Sequence, residues 1–295
     1  MKLNIFILLL FSFFLISCEK EVKIDIPIQD RKLVAICYAG ENDSLQLFFD
    51  ETKNMNEALS NEQMKGTISL YVNDIYKEDF ILNDSVYNST YIPQANDKLA
   101  ITATSIDGRH ISAFTHIPEK TVMTDFNFTP VLYTTNNGDI SAVTFNISDN
   151  SSTTDFYMCT INGTSYYYND YDSTTYVNNY GLQINNNNDP LFDSEVNMYN
   201  GVMFTDKTFN GESKEIKLEF LKWSYNDSLI IAVNLKHVTE EYYKYMQKII
   251  KQNNSNNNSI FDNGNTNPVM PYTNISGGYG VFAGYSSDTK EISTP

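Results

Sequence analysis

The chain has 295 residues, 41% hydrophobic and 19% charged, which is enough apolar material for a packed core and enough length for about two domains. Its 36 acidic residues against 20 basic ones give a net charge of −16. That balance excludes nucleic acid as a partner and a polybasic grip on an anionic membrane, since both need clustered Lys and Arg. The 21 Tyr and 18 Phe exclude wholesale disorder, and three cysteines are too few for a disulfide scaffold or a Cys-rich zinc module.

The chain starts with a basic residue, Lys2, then runs apolar from Ile5 to Ile16 apart from Ser12, and reaches Ser17 and Cys18. This pattern predicts a signal peptide over 1–17, because a spanning helix needs about 20 apolar residues. Leu15-Ile16-Ser17-Cys18 resembles the bacterial lipobox, so Cys18 is the expected lipidation site and 18–30 a lipidated tether. Acylated Cys18 would then anchor the protein in outer-membrane lipid, at about 0.8 kcal/mol per buried methylene. Cleavage also removes Lys2 and makes the net charge one unit more negative. Glu19-Lys20-Glu21 resembles the signals that send lipoproteins of Bacteroidetes to the cell surface.

From 32 to 118 short strands recur at regular spacing. The expected strands are 32–38, 44–49, 66–72, 80–82, 89–92, 98–105 and 109–116. Turns are expected at Asn73-Asp74, Asn83-Asp84 and Asp107-Gly108. Residues 31–118 therefore read as an immunoglobulin-like β-sandwich domain. The pattern restarts at Val122, with Phe126, Phe128, Val131 and Tyr133, and continues through strands at 140–147 and 155–161. Residues 165–189 are mostly Tyr, Asn, Asp and Thr, which fits either a loop lining a surface or a Tyr-rich strand pair. Strands at 200–209 and 214–220 are expected to join through Asn210-Gly211, and 228–237 reads as an apolar central strand.

One helix is expected, over 239–252. Thr239 suits its N-cap, Glu240 and Glu241 its positive end, and Lys248 and Lys251 its negative end. Tyr242, Tyr245, Met246, Ile249 and Ile250 form one apolar face, suited to packing on a sheet. The expected fold is all-β, the sandwich being followed by a second β-rich domain, 119–295, that carries the helix.

The order of these features is similar to a Bacteroidetes lipoprotein family known as domain of unknown function 4249. The resemblance rests on the lipobox, Ile24-Asp25-Ile26-Pro27, Lys32-Leu33-Val34, Thr115-His116-Ile117-Pro118 and Tyr242-Tyr243-Lys244-Tyr245. Its most specific part is the tail: Asn267-Pro268, then Asn274-Ile275-Ser276-Gly277-Gly278, then Gly280-Val281-Phe282. The Tyr- and Asn-rich segment 165–188 matches no pattern of the family. The resemblance implies an all-β outer-membrane lipoprotein, a surface accessory of a TonB-dependent β-barrel receptor that imports nutrients. It implies no catalytic residues.

Little in the sequence carries chemistry. Gly277-Gly278-Tyr279-Gly280 lacks the Lys-Ser/Thr of a phosphate loop and reads as a structural turn, with Asn274 and Phe282 in the same motif. His110, His116 and His237 have no ligand spacing, and no Gly-x-Ser-x-Gly elbow occurs. No catalytic residue, metal ligand or cofactor is assigned, and the expected protein is not an enzyme. Asn169–Asp172 and Asn185–Asp189 offer hard oxygen donors without the calcium-loop spacing, so calcium and a solvated acidic loop both remain open. Tyr166, Tyr167, Tyr168, Tyr171, Tyr176 and Tyr180 form the candidate binding surface, since loop tyrosines supply rigid amphipathic contact area. Cys37 and Cys159 are expected to be separate buried thiols. The leading expectation is a binding accessory of an uptake system, with a structural or adhesive envelope protein as the alternative.

Overall fold

The computed structural model describes residues 30–54, 64–169, 174–186, 188–196, 198–222, 229–256 and 271–294. The expected signal peptide, Cys18, the surface signal, nearly all of the tether, Tyr171 and the Asn267-Pro268 pair lie outside the described residues. The strands belong to one compact unit, Arg31–Lys53 with Ala58–Pro295. The protein is all-β, with a single α-helix among the described residues.

Three sheets build it. The first part of the chain supplies β1 (Leu33–Gly40), β2 (Gln46–Glu51), β3 (Gly66–Val72), β4 (Ile75–Asp79), β5 (Ile81–Asn83), β6 (Val86–Asn88), β7 (Lys98–Ser105) and β8 (His110–His116). Strands β4-β3-β7-β8 form a four-stranded sheet in that order. Its inner face meets β1 and β2 through Ile68, Leu70, Leu99, Ile101, Leu33, Ala35 and Phe49. Strict alternation explains both layers: in β7, Leu99, Ile101 and Ala103 are buried while their neighbours are not. Asn73 and Asp74 both take positive φ, as a two-residue I′ hairpin between β3 and β4 requires. Sequence alternation passes over β4 because that strand has no buried face.

The rest supplies β9 (Thr124–Thr135), β10 (Gly138–Ser148), β11 (Phe156–Asn169), β12 (Thr174–Gly181), β13 (Gly201–Thr205), β14 (Ser213–Lys222), β15 (Leu229–Val238) and β16 (Tyr279–Thr294). Strands β14-β10-β9 form a second small sheet. Val143, Phe145, Ile216, Leu218 and Phe220 of that sheet face Tyr157, Cys159, Ile161, Ile231, Val233 and Leu235 of β11 and β15. The large sheet runs β12-β11-β15-β16-β1-β2-β6-β5, with β13 also paired to β11. Strand β16 joins its halves lengthwise: Tyr279 to Tyr285 lie parallel to β1, and Tyr285 to Thr294 lie antiparallel to β15. Helix α1 (Glu240–Asn256) covers the other face of this sheet, with Tyr242, Tyr243 and Tyr245 packed on Met158, Met203, Val281 and Ala283. The backbone N–H of Tyr242 bonds the Thr239 hydroxyl at 3.4 Å, the expected N-cap.

Two expectations need correction. The strand expected at 89–92 forms instead at Val86–Asn88, because Glu78 takes the N–H groups of Thr90 and Tyr91 that a ladder would need. The strands on either side of Asn210-Gly211 are not a pair: β13 adds to β11, whereas β14 crosses to β10 in the other sheet. Each goes to the sheet whose core its apolar residues complete. Of the two readings of 165–189, the strand pair holds for its first part, where β11 up to Asn169 pairs with β12 from Thr174. Cys37 and Cys159 are free and buried in different cores, and burial pushes the Cys37 thiol up to about 12. No helix among the described residues is long and apolar enough to cross a membrane.

Candidate functional site

Two features stand apart from the packed core, and the first is the β11–β12 hairpin. Both strands are rich in residues suited to extended backbone, and Tyr167 lies opposite Tyr176 in the ladder. The lower part of the hairpin is anchored, since Tyr180 packs against the second core. Beyond it, Tyr166 and residues 175–179 of β12 are exposed, so the hairpin carries side chains past the two layers. Tyr166 is 39% exposed, Tyr176 45% and Val177 53%. Strand β12 is also the end of the large sheet among the described residues. An edge strand with amphipathic aromatic residues offers backbone groups and rigid side chains together.

The second feature is electrostatic. Asp149 follows β10, Asp155 precedes β11, and Asp206 opens the 3-10 turn after β13. These three strand ends meet, bringing one carboxylate oxygen from each residue within 4.8 Å of the others. Asp149 accepts from the Tyr157 hydroxyl at 2.9 Å and from the Gly211 N–H at 2.8 Å. Asp155 faces Thr153 Oγ1 at 3.1 Å and His237 Nε2 at 3.3 Å. The other ring nitrogen of His237 lies 2.8 Å from the Glu119 carbonyl oxygen, so each ring nitrogen faces an oxygen acceptor.

Asp206 is different. It is 1% exposed, and its Oδ2 has no hydrogen-bond partner. Burial pushes its carboxyl above the ordinary range, and the charges of Asp149 and Asp155 push the same way. Burial also works against the Asp155 carboxylate. There the hydrogen bond and charge of His237, with help from Thr153, outweigh it and hold the carboxyl low. Carboxylate oxygens alone are the donor set of a hard cation.

A family model described as Domain of unknown function (DUF4249) matches residues 19–291. The chain belongs to this family. No curated protein matches it.

In this DUF4249 chain the tail motif forms a joint between sheets. Asn274 bonds the backbone of Phe282 in both directions, at 2.7 and 3.0 Å, and also reaches the Phe114 carbonyl of β8 at 3.3 Å. Ser276 bridges to Ser112, and Ile275 and Phe282 enter the first core. Gly277 takes φ +82°, and a Cβ on Gly278 would lie 2.5 Å from the Leu33 carbonyl oxygen. In the donor-rich segment 185–189 the side chains of Asn186 and Asp189 hold neighbouring backbone. Asn186 is spent on Glu219 N–H and the Lys217 carbonyl, and Asp189 on Leu191 N–H. Most of Asn169–Asp172 lies outside the described residues. His110 and His116 sit at opposite ends of β8. Asp149, Asp155 and Asp206 carry no motif in the sequence; their one visible signal is an acid directly after β10, before β11 and after β13.

Proposed function

We propose that the protein is a lipid-anchored binding protein of the outer membrane, exposed at the cell surface and without enzymatic activity. In this reading it serves a TonB-dependent β-barrel receptor as a nutrient-binding accessory. The observation that carries the anchoring is positional. The family match begins at residue 19, directly after the lipobox-like Leu15-Ile16-Ser17-Cys18. A mature domain starting at that point is what cleavage before a lipidated cysteine would leave. The binding role draws support from the exposed tyrosines and edge strand of the β11–β12 hairpin. The burial of Asp155 and Asp206 argues against a glycosidase pair, which must reach a sugar from both sides.

The test is co-purification from detergent-extracted envelopes through a tag on this chain. The expected result is a large β-barrel receptor that is lost when Tyr166 and Tyr176 are both changed to Ser, with the melting curve unchanged. Cys18→Ala should release the protein from the membrane fraction. Extracts that never contain a barrel, together with a knockout that grows normally on every nutrient, would favour the structural or adhesive role.

A further inference from the structure

We propose that Asp149, Asp155 and Asp206 form a binding site for one divalent cation of the calcium type, at the junction of the two layers of the second core. Asp206 Oδ2 is buried and has no hydrogen-bond partner among the described residues. An ionised Oδ2 finds no donor there, and a protonated one finds no acceptor, so neither state satisfies this atom from within the chain. A cation bound between the three carboxylates would do so.

Charge points the same way. Three carboxylates converge with only the His237 ring beside them, so the ionised cluster carries more negative charge than that one ring could balance. The remaining donors around it are neutral: the Tyr157 and Thr153 hydroxyls and the Gly211 N–H. A divalent ion balances that residue of charge. The donors are all oxygen, which selects hard cations over zinc or copper. Oxygens bound to one calcium at roughly 2.4 Å lie at most about 4.8 Å apart. The three carboxylates already meet this limit.

The supporting contacts leave coordination free. Each carboxylate oxygen has two lone pairs, so Asp149 and Asp155 can keep their present hydrogen bonds and still bind an ion. Those bonds fix the carboxylates in direction, as the outer contacts of a metal site do. Asp149 is only half-buried, which provides the way in for the ion and for the waters that complete its shell. Structurally, the ion would reinforce the tie between the β10–β11 connection and the turn after β13, which Asp149 N–H to Glu212, Asp206 N–H to Asp155 and Gly211 N–H to Asp149 already make. The site is separate from the β11–β12 hairpin and does not depend on the uptake role.

The experiment uses the full mature lipoprotein in detergent, stripped with EDTA and then titrated with calcium alone. Calorimetry should give one site per chain, with affinity of roughly 10⁻⁴–10⁻³ M if it follows extracellular calcium modules. The melting temperature should rise with calcium, and terbium should show luminescence sensitised through Tyr157. Asp206→Asn should fold with the same circular dichroism, weaken calcium binding about tenfold or more and lose most of the thermal shift. Asp149→Asn should act likewise, which guards against a folding artefact in one variant. No calcium-dependent shift up to about 10 mM, well above that range, would overturn the proposal and leave Asp206 as a buried acid. An undiminished shift in both variants would overturn it too, and an equal response to magnesium would overturn the calcium assignment.

Discussion

At Glu78 one carboxylate holds a loop that has no ladder of its own. Ser89 Oγ and Thr90 Oγ1 donate to it at 2.5 and 2.6 Å, and the N–H groups of Thr90 and Tyr91 at 2.6 and 3.1 Å. Burial works to raise this carboxyl, but the four donors outweigh it and hold it below its ordinary 4.5. A folded value below the unfolded one adds stability at pH above about 4.5, and that stability is lost as pH falls through the folded value. Asp97 has the same sign, with Tyr91, Gln94 and Asn73 as its donors. Asp206 has the opposite sign, since its raised carboxyl makes folding costlier as pH climbs past 3.8. We therefore expect Glu78→Gln to lose roughly 2 kcal/mol at neutral pH and much less at pH 3, as urea unfolding would read. An equal loss at both pH values would mean that the loop is held by shape and not by charge.

At the scale of elements, β16 is the strand that tolerates least change. Gly280 takes φ +113°, and a Cβ there would come 1.9 Å from the Ala35 carbonyl oxygen. That distance is far inside van der Waals contact, so β1 and β16 must separate if the side chain is added. Gly108 offers a control, because its φ is +87° but a Cβ would meet nothing within 4 Å. Gly108→Ala should cost about 1 kcal/mol, the left-handed penalty alone. Gly280→Ala adds the clash and should cost about 3 kcal/mol or more. Thermal melts of the two variants would separate conformational strain from close approach, and equal losses would show that the strands can part freely.

At the scale of the whole molecule, the question is whether the two halves unfold together. The boundary expected at 118 falls between β8 and β9, yet the first core takes Ile275 and Phe282 from beyond it. Strand β16 pairs with β1 at one end and β15 at the other, so unfolding either half strands part of the other's ladder. A single cooperative transition is therefore expected in calorimetry, with the slowest amide exchange in β15 and in Val281, Phe282 and Ala283, all of them fully buried. Two separated transitions, one sparing β9 to β15, would show that the halves fold independently and that β16 docks last.

Much of the fold was legible because alternation is local. Strands such as β3, β7, β10 and β15 each declare a buried face within seven to eleven residues, and the tyrosine stripe of α1 declares its own. The polar run 165–189 did not declare itself, since residues 175–179 of β12 are all exposed and leave no alternation to read. Partner choice was hidden for a different reason. Which edge accepts β13, β14 or β16 depends on which core their apolar residues complete, and that exists only after the sheets assemble. The carboxylate cluster follows the same rule: Asp149 and Asp155 bound the β10–β11 connection, Asp206 opens the turn after β13, and only the stacking of the two layers brings these two segments together. The sequence by itself determined the alternating strands, the helix and the family; the tertiary structure alone decided where charge converges, because convergence is a property of packed strand ends and not of spacing along the chain.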